Sequence, residues 1–358
     1  MKALVLAAGK GTRLRPLTHT LPKHLLPVGN KPILLHVLDY IVEAGIEDIG
    51  IVVSPDTEPH IREAIGEQRR GRASIEFIRQ SEPGGLAHAV QVAEGFLDDS
   101  EFLMFLGDNL VQNGVKEFVE AFYVSACDAS ILLKEVDDPR PFGVADVDAS
   151  GKVTRMLEKP KEPKSNLVVI GVYIFTSEIH KAIARTKPSW RGELEITDAM
   201  QSLLEMGKEI RSCVLPGWWL DIGSNQGLIE ANRVVLDAYS ERDIKGKALN
   251  SRIEGRVQVE EGARIVNSLV RGPAFIATDC QIVNSTIAPF TNIRAGTVVE
   301  NSSVERSVIL EACRIARVRS LTDSVIGRSS TLLGFGNDTG PEKVSVCLGD
   351  DSKIEMEC

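Results

Sequence analysis

The first two thirds of the chain alternate short apolar runs with segments whose apolar residues recur at helical spacing. Apolar runs predict β-strands at 3–8, 49–54, 74–78, 102–106, 128–134, 143–146 and 168–175. Apolar residues three or four positions apart predict helices at 33–44, 86–96 and 225–239. This alternation is typical of a layered α/β domain with a mostly parallel sheet, which we place at residues 1–238.

The pattern changes to a short repeat in the last third of the chain. Asn-Ser pairs at 267/268, 284/285 and 301/302 are 17 residues apart, and aliphatic residues recur six apart, as at Ile253, Val259 and Ile265. A six-residue beat grouped in threes is typical of a triangular β-solenoid, because each inward aliphatic residue stacks on its equivalent in the next coil. We predict a linker at 239–250, a β-helix repeat domain at 251–335 and a C-terminal tail at 336–358, with an ordinary β-sandwich as the alternative.

Composition and charge narrow the class of protein. The chain has 358 residues, 43% of them hydrophobic and 25% charged, which is enough for about two globular domains. A net charge of -9 argues against broad binding of nucleic acid or of an anionic membrane surface. The first residues lack a signal-peptide core, and no apolar run approaches the roughly 18 residues of a membrane span. We therefore expect a cytoplasmic protein whose six scattered cysteines are reduced thiols.

A glycine-containing loop follows the first predicted strand. Glycines in Gly9-Lys10-Gly11-Thr12-Arg13 allow main-chain N–H groups to approach phosphate oxygens closely. The loop differs from a dinucleotide-binding fingerprint, which needs a third glycine at Leu14, and from a Walker loop, which ends in GK[ST]. It continues as RLRPLT at 13–18 and PKHLLPV at 22–28. This pair of motifs resembles the signature of the sugar-1-phosphate nucleotidyltransferase family.

The resemblance continues along the whole chain. Family-like segments are QSEPGGLAHA at 80–89, LGDN at 106–109, EKP at 158–160, RGELEITD at 191–198 and WLDIG at 219–223. Among the branches of the family, the chain looks most like the long glucose-1-phosphate thymidylyltransferases. The resemblance implies a Rossmann-like, mostly parallel α/β sheet followed by a left-handed parallel β-helix. It also implies Mg²⁺-dependent in-line attack of glucose 1-phosphate on the α-phosphate of dTTP, giving dTDP-glucose and pyrophosphate.

The same resemblance implies a set of site residues. The catalytic set is Arg13, Lys23, Asp108, Lys159 and Asp221, with Asp108 and Asp221 as ligands of Mg²⁺. The nucleotide-binding set is Ala8, Gly9, Gly11, Thr12, Gln80 and Gly85. The sugar-phosphate-binding set is Asn109, Gly143, Glu158, Lys159, Gly171 and Arg191. These residue types suit the chemistry, because cations stabilise the reacting phosphates and carboxylate oxygens bind magnesium.

Several alternatives remain open from the sequence. A glutamine such as Gln80 pairs equally well with thymine and uracil, so UTP, or another sugar 1-phosphate, is a possible substrate. A non-catalytic regulatory subunit of the same architecture is disfavoured, because the five charged residues of the catalytic set are all present. His88 needs no acid–base role, since the attacking phosphate is already ionised at neutral pH, and we expect a packing role for it.

The predicted β-helix is expected to be structural. We expect it to join the subunits of a homo-oligomer, and we expect a chain ending near Ser240 to keep nucleotidyl transfer. Some related nucleotidyltransferases acetylate an amino sugar on their β-helix, with a histidine as general base and lysines near the cofactor phosphates. This chain has no histidine after His180 and no lysine between Lys247 and Lys343.

We therefore predict that the protein transfers no acetyl group. Incubation with glucosamine 1-phosphate and acetyl-CoA should release no free CoA, which a thiol-reactive dye measures directly. Release of CoA above that of a sample without the sugar phosphate would contradict the prediction.

Overall fold

The computed structural model describes residues 1–66, 73–334 and 342–356. Its helices are α1 Ile33–Glu43, α2 Glu58–Gly66, α3 Leu86–Val92, α4 Glu94–Leu97, α5 Lys116–Ser125, α6 Glu178–Ile183, α7 Ile196–Glu205 and α8 Asn225–Tyr239. The strands up to α8 are β1 Lys2–Leu6, β2 Pro27–Val28, β3 Lys31–Pro32, β4 Asp48–Val53, β5 Ser74–Arg79, β6 Phe102–Leu106, β7 Asn109–Val111, β8 Ala129–Glu135, β9 Gly143–Val147, β10 Val153–Glu158, β11 Leu167–Phe175, β12 Ile210–Val214 and β13 Trp219–Asp221. The three predicted helices and the seven predicted strands are found to within a few residues, and the predicted helix at 86–96 is divided at Ala93 into α3 and α4. The apolar pattern did not predict α2, α5, α6 and α7 or the strands β2, β3, β7, β10, β12 and β13.

A nine-stranded sheet forms the centre of the first part of the chain. Its order is β10-β9-β11-β6-β1-β4-β5, and β8 joins it through β11 and β12 through β8. The strands β6, β1, β4 and β5 are parallel, and β11 runs antiparallel to β6 and β8. The predicted Rossmann-like sheet is confirmed. Apart from Lys2, the central strands β1 and β6 are apolar, as expected for strands that helices cover on both faces.

The strand order reverses beside β1. The chain first moves from β1 to β4 and β5 on one side, and then returns to add β6 on the other side. Such a switch point leaves a crevice at the carboxyl ends of the two strands that flank it, which is where open α/β sheets bind ligands. Here these strands are β1 and β6, whose last residues Leu6 and Leu106 are direct partners.

The last third of the chain is a three-faced parallel β-helix. Its strands are β14 Asp243–Ile244, β15 Lys247–Leu249, β16 Arg252–Glu254, β17 Val257–Val259, β18 Arg264–Val266, β19 Leu269–Arg271, β20 Ala274–Ile276, β21 Gln281–Val283, β22 Thr286–Ile287, β23 Thr291–Ile293, β24 Val298–Glu300, β25 Ser303–Glu305, β26 Val308–Ile309, β27 Arg314–Ala316, β28 Leu321–Thr322, β29 Val325–Ile326, β30 Thr331–Leu333, β31 Cys347–Leu348 and β32 Lys353–Glu355. The three faces contain seven, seven and five of these strands, each hydrogen-bonded to the strand one coil away. The predicted β-helix is confirmed, and strands also occur within the predicted linker and the predicted tail, where they pair with the outer coils.

The Asn-Ser repeat has a direct structural cause. Asn267, Asn284 and Asn301 occupy a corner with φ near +49°, a left-handed conformation that asparagine tolerates better than most residues. Their amides form a ladder, with Asn267 donating to Asn284 at 3.2 Å and Asn284 to Asn301 at 3.3 Å. The serine that follows each asparagine accepts a main-chain N–H from the next coil, as Ser268 does from Ser285 at 3.0 Å. The repeat therefore satisfies polar groups where the chain turns.

The contacts of the chain define two compact units that are not continuous in sequence. One contains Met1–Gly9 and Ile33–Asp221, and the other contains Lys10–Pro32 and Ile222–Cys358. The segment Lys10–Pro32, which carries the signature loop, therefore packs with α8 and the β-helix. The predicted domain bounds follow the order of the sequence and stay predictions of functional domains.

The described cysteines are free, and they are Cys127, Cys213, Cys280, Cys313 and Cys347; Cys358 lies outside the described residues. Burial raises the pKa of the Cys280 thiol to about 11 and that of Cys313 to about 12, so both stay protonated near neutral pH. Within the described ranges, no helix is long and apolar enough to cross a membrane.

We predict that the aliphatic stack carries the stability of the β-helix. Ile282 is fully buried between Ile265 and Val299 of the neighbouring coils, so Ile282→Ala should lower the free energy of unfolding by about 2–5 kcal/mol. The adjacent, exposed Gln281 provides the control, since Gln281→Ala should change it by less than about 0.5 kcal/mol. Chemical denaturation followed by circular dichroism measures both, and equal midpoints would contradict the prediction.

Candidate active site

The switch point of the sheet carries the first predicted nucleotide-binding residues. The chain leaves β1 through Ala7, whose N–H donates to the Val52 carbonyl at 2.7 Å, and then reaches Ala8 and Gly9. On the other side of the crevice, the Gly107 N–H donates to the Leu6 carbonyl at 2.9 Å, and Asp108 follows. These main-chain bonds extend the sheet by one residue on each strand. They hold the two loops at one edge of the sheet.

The two predicted metal ligands lie at the same end of a short ladder. Strands β7 and β13 are antiparallel, and Asp221 is the direct partner of Asn109, the residue after Asp108. Asp108 is 8% exposed and Asp221 is exposed. Direct partners in an antiparallel ladder have Cα atoms about 4.5–5.5 Å apart, so residues separated by over a hundred positions become neighbours.

The donor set fits a magnesium ion. Mg²⁺ is bound by oxygen atoms and usually takes one or two protein carboxylates together with water and substrate phosphates. Asp108 and Asp221 supply carboxylate oxygens alone, and Asp221 is open to solvent. Among the described residues no cluster of three or more His, Cys, Asp or Glu forms a cage. The two carboxylates would leave the other positions of the ion to water and phosphate oxygens.

Asn109 connects Asp108 to an aromatic residue that the sequence analysis gave no role. The Asn109 amide donates to Asp108 Oδ1 at 3.0 Å, and the Trp219 indole N–H donates to Asn109 Oδ1 at 2.6 Å. Asn109 is only 3% exposed. Its bonds to Asp108 and Trp219 use one amide N–H and one lone pair of its oxygen, and its predicted contact with the sugar phosphate stays a prediction.

Trp219 also reaches the predicted sugar-phosphate residues. Its ring packs edge-on against Phe142, with 5.3 Å between centroids, and the Phe142 carbonyl accepts the Lys159 N–H at 3.1 Å. Lys159 has a φ of +42°, an uncommon left-handed conformation for a lysine. Non-glycine residues in such conformations are often found at functional sites.

Glu158 and Lys159 form a compact polar group. Glu158 Oε2 accepts the Thr197 hydroxyl at 3.0 Å, while Glu158 Oε1 lies 3.2 Å from the Lys159 ammonium. The Glu158 side chain is 21% exposed and keeps lone pairs for further donors. Sugar hydroxyls are donors of this kind.

Arg191 is held by carboxylates rather than left open. Its Nη2 lies 2.8 Å and 2.9 Å from the two oxygens of the buried Glu195, and 3.4 Å from Glu158. Burial alone would lower the pKa of Arg191, but the hydrogen bond and negative charge of Glu195 raise it. Burial and the charges of Glu195 and Glu158 raise the pKa of nearby Asp198. Arg191 thus neutralises an acidic cluster in addition to its predicted contact with phosphate.

Two glycines predicted to contact the sugar have structural reasons to be glycine. Gly143 is the strand partner of Glu158, and a Cβ there would lie 2.7 Å from the Thr197 methyl group. Gly171 lies at an irregular point of β11 with φ +78°, where a Cβ would lie 2.6 Å from Leu106. Both glycines therefore permit close packing beside candidate site residues, and their contacts with sugar stay predictions.

The predicted base-recognition segment is ordered by two contacts of Gln80. The Gln80 amide nitrogen donates to the Gly85 carbonyl at 3.2 Å and lies 3.0 Å from His88 Nδ1. Because a carbonyl only accepts, the nitrogen of Gln80 must face Gly85, and His88 then accepts the second N–H. Gly85 has φ +96°, and a Cβ there would lie 2.5 Å from the Leu194 carbonyl oxygen. The remaining atom of Gln80 for a ligand is its acceptor, Oε1.

The signature loop lies in the second unit. Gly11 has φ +62°, and the Thr18 hydroxyl donates to its carbonyl at 2.7 Å. Thr12 and Arg13 are exposed in a single-turn 3₁₀ helix, and Lys23 is half-buried in another. Gly223 leaves room for the Arg13 guanidinium, since a Cβ there would lie 2.7 Å from its Nη2.

Each unit thus brings together part of the predicted set. The first unit contains Asp108, Asn109 and Asp221 in one group, Gly143, Glu158, Lys159 and Arg191 in a second, and Gln80 with Gly85 in a third. The second unit contains Gly11, Thr12, Arg13 and Lys23. Sequence reasoning gave no supporting role to Trp219, Thr197 or Glu195. The sequence does indicate them, because each lies inside one of the family-like motifs at 191–198 and 219–223.

Comparisons with known proteins identify the family. Residues 2–238 match the profile of the family described as Nucleotidyl transferase. The chain belongs to this family. It is 44% identical to a glucose-1-phosphate thymidylyltransferase of Streptomyces griseus over 356 residues, which is 99% of both chains.

Two further relatives match about two thirds of the chain. A UTP–glucose-1-phosphate uridylyltransferase, AglF, of Haloferax volcanii is 40% identical over 235 residues, covering 65% of this chain and 96% of its own. A crystal structure from Bacillus anthracis, described as a candidate glucose-1-phosphate thymidylyltransferase in complex with sucrose, is 36% identical with a TM-score of 0.61. The match covers 65% of this chain and 94% of the Bacillus anthracis chain. The nucleotidyltransferase fold and the resemblance to the long thymidylyltransferases are confirmed.

We predict that the Trp219 indole N–H supports the Asp108–Asn109 group. Trp219→Phe leaves the buried Asn109 oxygen without that donor, so the free energy of unfolding should fall by about 1–3 kcal/mol. Trp190 is 91% exposed, and Trp190→Phe serves as the matched control with little change expected. Urea denaturation compares the two, and an equal effect of both substitutions would contradict the role of the hydrogen bond.

Proposed function

We propose that this nucleotidyl transferase converts dTTP and glucose 1-phosphate to dTDP-glucose and pyrophosphate, with Mg²⁺ as cofactor. The observation that carries the proposal is the pair of carboxylates, Asp108 and Asp221, at one end of the β7–β13 ladder directly after β6. The full-length similarity to a thymidylyltransferase supports the choice of substrates.

The reaction is an in-line displacement at phosphorus. An oxygen of the sugar phosphate bonds to the α-phosphorus of dTTP, and the bond from that phosphorus to the bridging oxygen of pyrophosphate breaks. The attacking oxygen is already ionised, so the protein supplies position and positive charge rather than a base. Arg13 provides a planar fork for phosphate oxygens, and Lys23 provides a mobile point charge.

A bound Mg²⁺ would be held by Asp108 and Asp221 and would neutralise charge on the phosphates. Asp108 is prepared for this role, because Asn109 fixes one of its oxygens and Trp219 in turn fixes Asn109. A carboxylate whose orientation is set by neighbours loses little freedom when it binds a cation.

The sugar 1-phosphate would be bound by the second group of the first unit. Glu158 accepts from sugar hydroxyls, and Lys159 pairs with the phosphate charge. Thr197 and Arg191 orient the Glu158 carboxylate from two sides. Because Lys159 and Glu158 are adjacent, one short segment would recognise both ends of the substrate.

The pyrimidine base would be read by Gln80 and Gly85. With both N–H groups of Gln80 directed at Gly85 and His88, its Oε1 accepts the N3–H that thymine and uracil share. Cytosine presents an acceptor at N3 and adenine presents one at N1, so neither base matches this oxygen. A uridylyltransferase activity is the second candidate, favoured by the 40% identity to AglF.

The remaining features of the proposal follow the sequence analysis. We propose that the protein acts in the cytoplasm, as a homo-oligomer joined through its β-helix, and without nucleic acid or membrane partners. The presence of Arg13, Lys23, Asp108, Lys159 and Asp221 disfavours the non-catalytic regulatory subunit.

A pyrophosphate-release assay tests the function. Glucose 1-phosphate and Mg²⁺ are combined with dTTP, UTP, ATP, GTP or CTP in turn, and we expect dTTP to be the best substrate with UTP second. Equal rates with all five would remove the base-recognition argument. Activity with UTP far above dTTP would make the enzyme a uridylyltransferase.

We predict that Asp108→Asn and Asp221→Asn each lower kcat by about a hundredfold to a thousandfold, because each removes an anionic ligand without changing shape. The double variant should be little worse than either single one, since the ligands act as a unit. The exposed Asp99 provides a control, and Asp99→Asn should keep wild-type activity. Near-normal turnover of either ligand variant at limiting Mg²⁺ would overturn the metal assignment.

A further inference from the structure

Two buried asparagines join the β-helix to the segment that carries the signature loop. Asn292 lies in β23 and Asn232 in α8, and both are fully buried. Asn292 Nδ2 donates to the Gly29 carbonyl at 2.6 Å and to Asn232 Oδ1 at 3.1 Å. Asn232 Oδ1 also accepts the Gly29 N–H at 3.1 Å, and Asn232 Nδ2 donates to the Phe290 carbonyl at 3.0 Å. Gly29 is thus bound on both its N–H and its carbonyl.

The orientation of both amides is fixed by main-chain partners. The Gly29 and Phe290 carbonyls only accept, and the Gly29 N–H only donates, so neither amide can be turned over without losing bonds. Asn292 Oδ1 has no hydrogen-bond partner within the described part of the chain. A buried oxygen left unpaired costs about 1–3 kcal/mol. The two hydrogen bonds that Asn292 Nδ2 donates must offset this cost.

Asn292 also differs from the residues packed beside it on its own face. Its register partners Phe275 and Val308, and Val325 one coil further, are buried and apolar, whereas the polar Gln258 and Asp243 of this column lie in the first coils and are not fully buried. Phe275 packs against Leu236 of α8. A polar residue in this column has no role in the stacking of coils. It is explained by its bonds to Gly29 and Asn232.

Gly29 and Asn30 form the tip of a hairpin between β2 and β3. Arg294, two residues after Asn292, donates from Nη1 to the Asn30 carbonyl at 3.1 Å. Gly29 adopts φ +60°, and a Cβ there would lie 3.0 Å from Val235 of α8. The β-helix and α8 together therefore hold both residues of the tip.

A second point of attachment lies in the middle of the segment. The Thr20 hydroxyl donates to Asp350 Oδ2 at 2.7 Å, and Asp350 Oδ1 accepts the Arg328 N–H at 2.7 Å. Asp350 belongs to the last coil, between β31 and β32. Lys23 therefore lies in sequence between two positions, Thr20 and Gly29, that the β-helix binds.

The segment has little regular structure of its own. Between Lys10 and Pro32 it forms three single-turn 3₁₀ helices and the two-residue strands β2 and β3. Such turns are marginal in isolation, so outside contacts must select one conformation. Displacement of a catalytic group by about 1 Å costs on the order of a hundredfold in rate.

We propose that the β-helix positions the segment Lys10–Pro32, which carries Arg13 and Lys23. Asn292 is the principal positioning residue for nucleotidyl transfer. The inference rests on the proposed function, because it takes Arg13 and Lys23 as the cations that act on the triphosphate. It assigns the β-helix a role within the reaction, beyond the structural role expected from the sequence. A chain ending near Ser240 would lack Asn292, Arg294 and Asp350, so this proposal replaces the expectation that it keeps activity.

The test compares two buried polar residues of the same β-helix. Asn292→Ala removes two hydrogen bonds, one to the Gly29 carbonyl at the hairpin tip and one to Asn232. Thr297 is also fully buried, but its hydroxyl bonds only within the β-helix, to the Leu310 carbonyl at 2.9 Å and the Cys313 N–H at 3.2 Å. Thr297→Ala therefore removes a similar number of bonds without touching the segment.

We expect Asn292→Ala to lower kcat with dTTP at least tenfold and to leave the KM for glucose 1-phosphate within twofold of wild type. Thr297→Ala should keep kcat within about twofold of wild type, even if its melting temperature falls as much as that of Asn292→Ala. Arg294→Gln should lower kcat several-fold. Because this side chain is partly exposed, the variant still tests the proposal if Asn292→Ala does not fold. Wild-type kcat in both Asn292→Ala and Arg294→Gln would overturn the proposal.

Hydrogen exchange of the full-length protein gives a readout that does not depend on activity. Peptides covering 10–32 should exchange faster in Asn292→Ala than in wild type or Thr297→Ala, whereas peptides of the sheet should not change. Unchanged exchange in 10–32 would overturn the positioning role. A wild-type protein that transfers no nucleotide would overturn the proposed function instead, and the exchange result would still decide whether Asn292 holds the segment.

Discussion

The parallel pairing of β1 with β4 and β6 is the constraint on which the first unit depends. Leu6 is hydrogen-bonded in register with Val52 on one side and Leu106 on the other, so the loops that follow must start at one edge of the sheet. The reversal of strand order at β1 keeps these loops apart and leaves a crevice between them. The position of Asp108 follows from this pairing rather than from its own sequence neighbours.

Two carboxylates at the candidate site are held by hydrogen-bond chains from uncharged neighbours. Asp108 is bonded to Asn109, which is bonded to Trp219, and Glu158 is oriented by Thr197. Such bonds limit the number of arrangements available to each carboxylate before substrate arrives. In the proposed displacement at phosphorus, where the protein would contribute position and charge, such preorganisation would supply much of the rate.

The β-helix combines a repetitive core with one non-repetitive face. Its interior follows the aliphatic beat, and its Asn-Ser corners follow the 17-residue repeat. The face that packs on α8 breaks the pattern at Asn292, where a polar residue binds the hairpin tip at Gly29. The repeat stabilises the coils, whereas Asn292 serves a contact with the hairpin tip at Gly29.

The sequence by itself determined the element types, the β-helix period and the identity of most candidate residues, because apolar spacing and short motifs are local properties. Only the tertiary structure decided how these residues support one another. Asp221 meets Asn109 through a pairing between strands far apart in sequence, and the role of Asn292 depends on a hairpin more than 260 residues earlier. Contacts of this kind depend on which surfaces the folded chain brings together, and no local pattern encodes them.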